Sequence, residues 1–77
     1  MTANMVSGIL VFKTNIMTLQ DVHNIATSIN SKSKVIKWNV DLMDIDKVLR
    51  LETYETTVAE IIDIIQNAGY ACEELTD

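Results

Sequence analysis

Along these 77 residues the spacing of apolar side chains switches between alternation and a helical repeat, and the order of the switches leaves few folds open. Ile9-Leu10-Val11-Phe12 is a β-type run that alternates on through Thr14 to Ile16, with Leu10, Phe12 and Ile16 expected inward. Val22, Ile25, Ala26 and Ile29 recur at helical spacing to about Ser31, leaving His23, Asn24, Thr27 and Ser28 on a polar side. After Lys32-Ser33-Lys34 the alternation returns. Ile36, Trp38 and Val40 are expected on one face, with Lys37, Asn39 and Asp41 on the other. Leu42 to Asp46 reads as a hairpin turn. Asp46 to Glu52 alternates again, with Leu49 and Leu51 inward and Lys47 and Arg50 outward. Val58, Ile61, Ile62, Ile65 and Ala68 form a second helical stripe, and Gly69 ends it in the left-handed manner. Tyr70, Cys72 and Leu75 give a short final strand or an extended tail.

Both helical stretches open on the same local signal. Thr18-Leu19-Gln20-Asp21 and Thr57-Val58-Ala59-Glu60 each set a threonine three residues before an acid. That spacing lets the hydroxyl and the carboxylate satisfy backbone N–H groups left free at a helix start. Strand, helix, strand, strand, helix, strand is two similar halves of about 35 residues, which predicts an α+β, ferredoxin-like βαββαβ sandwich. Four antiparallel strands would carry both helices on one face. The opposite, open face would show Val11, Lys13, Lys37, Asn39 and Arg50. Val11, Val35 and Val48 or Ile9 would form an apolar patch there, suited to self-association or a partner.

The length allows one domain, residues 1–77 with a core over about 8–75. With 48% hydrophobic and 22% charged residues the chain is globular in composition. A net charge of −5 argues against a nucleic-acid partner, whose binding rests on neutralising phosphates. No apolar run reaches the roughly 18–20 residues of a membrane span. Met1 to Ser7 lacks a basic stretch leading into an apolar one, so no secretory leader is read there, and a cytoplasmic placement is expected. One cysteine excludes a disulfide within the chain and an all-cysteine metal cage. Neither a supported Ser/His/Asp or Cys/His set nor a phosphate-cradling glycine loop is present, so an enzyme is not expected.

Four segments, in order, resemble the heavy-metal-associated domain of copper chaperones and metal-transporting ATPases. They are Phe12-Lys13-Thr14-Asn15-Ile16-Met17; Val22, Ile25 and Ile29-Asn30; Ile36, Trp38 and Val40-Asp41 with Asp46-Lys47 and Leu49; and Ala68-Gly69-Tyr70. The resemblance runs from about Leu10 to Leu75 and implies the same sandwich fold. Members of that family hold Cu(I) or a similar soft ion through Cys-x-x-Cys between the first strand and first helix. Here that loop has no cysteine. With Val22 and Ile25 at the helix-core positions, the two cysteine positions fall on Thr18 and Asp21; the alternative register would put them on Leu19 and Val22. A hydroxyl and a carboxylate are hard ligands, poorly matched to Cu(I). The resemblance therefore implies the fold, a metal-transport kinship, and the loss of the metal site.

Three residues remain candidates for an unconventional Cu(I) or Zn(II) site: Met17 in the loop, His23 in the first helical turn, and Cys72. Each also has a plain reading, as a loop residue, a solvated helix residue and a small core residue. Asp41, Asp44 and Asp46 lack the glycine and closing glutamate of a calcium loop and read as a solvated hairpin. Tyr70 is expected to pack in the core or against the loop. The expected function is a non-catalytic domain without a cofactor and without tight Cu(I) binding. It would dock to itself or to a related metal-handling protein. A metal carrier using Met17, His23 and Cys72, or a small-molecule-binding regulatory module of the same fold, is the alternative.

Overall fold

The computed structural model describes residues 8–32 and 34–75. The reading of Met1 to Ser7 and the place of Ser33 in its connection lie outside them. The elements follow the expected order: β1 (Gly8–Thr14), α1 (Leu19–Asn30), β2 (Val35–Asp41), β3 (Val48–Thr53), α2 (Val58–Asn67) and β4 (Cys72–Glu74). The sheet order is β2-β3-β1-β4 and each described pairing is antiparallel. This is the ferredoxin-like βαββαβ sandwich.

The core follows the periodicity. Phe12, Ile16, Ile25, Ile29, Leu49, Leu51, Ile61 and Ile65 are fully buried in one cluster, and Cys72 joins them from β4. Leu10, Val22, Trp38, Val40, Val58, Ile62 and Ala68 pack against that cluster while half-buried. Full burial of such side chains contributes about 1.5–3 kcal/mol each. α2 ends as expected: Gly69, with φ of +99°, follows the last turn. The N–H groups of Gly69 and Tyr70 then close back on the carbonyls of Gln66 (2.9 Å) and Ile65 (3.1 Å). These two bonds satisfy helix carbonyls that would otherwise lack partners.

Three local expectations are corrected. The first concerns β2, where Ile36 was expected inward and is 62% exposed. The ladder shifts between Val35 and Lys37, so one extra residue is inserted there, and Val35 instead packs against the core. Val35 therefore leaves the open-face patch. Second, β3 begins at Val48 and not at Asp46, because the turn runs on through Lys47, whose φ is +47°. Val48 is buried and leaves the expected patch too, of which Ile9 is well exposed and Val11 half-buried. Third, the start of α2 makes half of its expected reciprocal pair. The Thr57 side chain accepts from the Glu60 N–H at 3.2 Å, and the Glu60 carboxylate accepts no return bond from the Thr57 N–H.

Candidate functional site at the loop end of the sandwich

Three connections meet at one end of the sheet. The turn between β2 and β3 is tied to the end of β1: the Thr14 N–H donates to the Asp46 carbonyl at 3.1 Å, and the Thr14 hydroxyl donates to the Lys47 carbonyl at 2.6 Å. The same hydroxyl accepts from the Ile16 N–H at 3.2 Å, turning the chain out of β1. On the other side, the Ala71 N–H donates to Asn15 Oδ1 at 2.8 Å, which joins the α2–β4 connection to the β1–α1 loop.

The β1–α1 loop closes on Asp21. Thr18 caps α1: its hydroxyl accepts from the Asp21 N–H at 3.1 Å. In return, Asp21 Oδ2 accepts from the N–H groups of Met17 (3.1 Å) and Thr18 (3.2 Å). The other oxygen, Oδ1, accepts from the Tyr70 hydroxyl at 2.9 Å, and Tyr70 accepts in turn from Asn24 Nδ2 at 3.0 Å. One carboxylate thus joins the loop, the first turn of α1 and the end of α2. The Met17 N–H contributes most, with the Tyr70 and Thr18 groups adding to it, and together they hold the Asp21 carboxyl below its ordinary value of 3.8. Packing in the core or against the loop was expected at Tyr70. Its hydrogen bonds to Asp21 and Asn24, and the Asn15 clamp, were not anticipated, since their partners lie 46 to 56 residues apart in sequence.

Thr18 and Asp21, the two positions at which cysteines were expected to be missing, are therefore committed to hydrogen bonds. Neither is a soft donor. The three further candidates occupy different surroundings. Met17 is exposed in the loop and His23 is exposed on α1. Cys72 is buried in the core opposite Thr14, and burial pushes its thiol up to about 11. A buried, protonated thiol is a poor ligand, because the thiolate is the binding form. Among the described residues, no three His, Cys, Asp or Glu side chains converge as a metal site.

The same end presents large apolar side chains to solvent. Met43 is 93% exposed and Ile45 92%, at the tip of the β2–β3 turn, and Met17 and Leu19 are exposed on the β1–α1 side. Around the tip, Asp41 Oδ1 accepts from the Met43 N–H at 3.0 Å and Asp44 Oδ1 from the Asp46 N–H at 2.8 Å. The acids thus shape the turn while lending it negative charge. Among the described residues, no helix is long and apolar enough to cross a membrane.

No protein-family model matches the chain, and no curated protein matches it. Solved structures match over most of its length. The apo heavy-metal-associated domain of a copper chaperone for superoxide dismutase superposes with a TM-score of 0.79 at 14% identity, covering 99% of this chain and 74% of that one. The Cu(I)-loaded first domain of the human copper chaperone for SOD1 gives 0.76 at 16% identity, covering 90% and 93%. The yeast copper transporter domain CCC2A gives 0.73 at 23% identity, covering 92% and 99%. The chain has the fold of the heavy-metal-associated domains of copper chaperones and metal transporters.

Proposed function

We propose that this chain is a non-catalytic, cytoplasmic docking domain built on the heavy-metal-associated fold, in which Thr18 and Asp21 stand where such domains carry their metal-binding cysteines. The observation that carries the reading is the use of the loop: its two key side chains satisfy the start of α1 and tie down Tyr70, while Met17, Leu19, Met43 and Ile45 face solvent beside them. Exposed large apolar side chains gathered at one end of a small domain suit a contact surface. The net charge of −5, with no Lys or Arg after Arg50, favours a partner that rims its own apolar patch with basic residues. We take that partner to be a related metal-handling domain with an intact Cys-x-x-Cys.

The test is an NMR titration of the labelled chain with such a domain, supplied both metal-free and loaded with Cu(I). Backbone signals of Met17, Leu19, Met43 and Ile45 should shift in both titrations, and Ile45→Asp should abolish the shifts. After separation, the copper should remain with the partner. Copper retained by this chain would overturn the metal part of the reading, and unshifted signals at these residues would overturn the docking part.

A further inference from the structure

The sheet has two edges, and they are unequal. β4, at one edge, is three residues long, whereas β2, at the other, has seven and, among the described residues, is paired only on its β3 side. An uncovered edge presents unpaired backbone donors and acceptors to any strand that can lie beside it. The irregularity of β2 is confined to its beginning. From Lys37↔Glu52 to Asp41↔Val48 the ladder runs without interruption.

The regular stretch is Lys37-Trp38-Asn39-Val40-Asp41. Laid antiparallel against a second copy about a two-fold axis at Asn39, it is complementary to itself. Lys37 falls opposite the partner's Asp41, Trp38 opposite the partner's Val40, and Asn39 opposite the partner's Asn39. Symmetry makes both unlike pairs twice. Lys37 and Asp41 belong to the open face, and both are exposed. Trp38 and Val40 belong to the helix face and are only half-buried in a single copy. Opposite charges and aromatic–β-branched neighbours are the favourable cross-strand pairs. Centring the axis on Trp38 would set Lys37 against the partner's Asn39 and Asp41 against the partner's Val35, losing the charge match.

We propose that two copies of this chain associate through their β2 edges in the register centred on Asn39, joining the two sheets into one of eight strands with four helices on one side. A five-residue ladder is a small contact, and a weak, concentration-dependent dimer is expected. The pairing is independent of the loop-end docking proposed above.

Sedimentation equilibrium on the full chain, from about 10 μM to about 1 mM, tests it, with the emission of Trp38 as a second readout of the same edge. The wild-type chain should dimerise across that range. Lys37→Glu sets two Glu–Asp pairs against each other in the dimer, and Asp41→Lys sets two Lys–Lys pairs. Each change should weaken association about tenfold. Mixing the two variants should restore association to about the wild-type level, because each mixed dimer pairs Glu with Lys on one side of the axis and Lys with Asp on the other. Recovery on mixing supports the register. A wild-type chain that stays monomeric throughout overturns the proposal, as does a dimer that neither variant weakens or that mixing fails to restore. Lys37→Glu, which makes no contact with the β2–β3 turn, would weaken the β2 dimer and leave the loop-end titration unaffected, so the two proposals fail separately.

Discussion

The two helix starts share one local sequence pattern and have become different things. At α1, threonine and acid complete a reciprocal pair, and the acid reaches Met17 behind it and Tyr70 above it. At α2, the threonine caps in the same way, but Glu60 stays exposed and lines a cleft of about 470 Å³ with Lys32, Lys34 and Asp63. The caps are equivalent; the acids are not. What separates them is tertiary. Only the α1 start has the end of another helix delivering a hydroxyl to its carboxylate. At α1 the acid holds a loop together by hydrogen bonds; at α2 it does not.

The difference can be pressed from the largest effect downward. The one thiol at the α1 end, Cys72, should be about 100-fold less reactive to iodoacetamide at mildly alkaline pH than a free thiol. Its rise from 9.0 to about 11 leaves that much less thiolate. Reaction at the rate of the denatured chain would show that it is accessible. Among single changes at either helix start, Asp21→Ala should give the largest fall in Tm, since it removes the acceptor for three groups, whereas Glu60→Ala should stay within about 0.5 kcal/mol of wild type. Equal effects would erase the contrast. Thr18→Ala and Thr57→Ala should each cost on the order of 1 kcal/mol, because the two caps make the same bond at 3.1 and 3.2 Å. Tyr70→Phe should cost about 1 kcal/mol and raise the Asp21 pKa.

The pH dependence has a definite sign. The Asp21 carboxyl is held below its ordinary value in the folded chain, so the unfolded chain takes up its proton first as pH falls. Its stabilisation is fully present above 3.8 and is lost as pH falls through the lower folded value. The Tm difference between wild type and Asp21→Asn should therefore shrink below 3.8 in thermal scans. A difference that grows on acidification would contradict the assignment.

What could be read from the sequence was what is decided locally. The switches of period placed all six elements, because a strand or helix exposes one face to the core over its whole length. The Thr18 cap was legible because its partner lies three residues on. Ile36 was not, because one inserted residue in β2 reverses the inward side, and nothing in the composition of Val35-Ile36-Lys37 marks it. The bonds from Tyr70 to Asp21 and from Ala71 to Asn15 were equally hidden. They exist only once α2 has packed on the sheet and brought its end over the β1–α1 loop. The resemblance to a metal-binding family drew attention to the β1–α1 loop; its cap was legible from spacing, and its bonds to Tyr70 and Ala71 were not.

The most direct test of the account is a Cu(I) titration against a competing chelator, run in parallel on the wild-type chain and on the double variant Thr18→Cys/Asp21→Cys. The wild type should leave the copper with the chelator, and the variant should take up one equivalent, since two thiolates at that spacing meet a soft ion at the start of α1. Uptake of one equivalent by the wild type, or none by the variant, would contradict the claim that Thr18 and Asp21 have replaced a metal site.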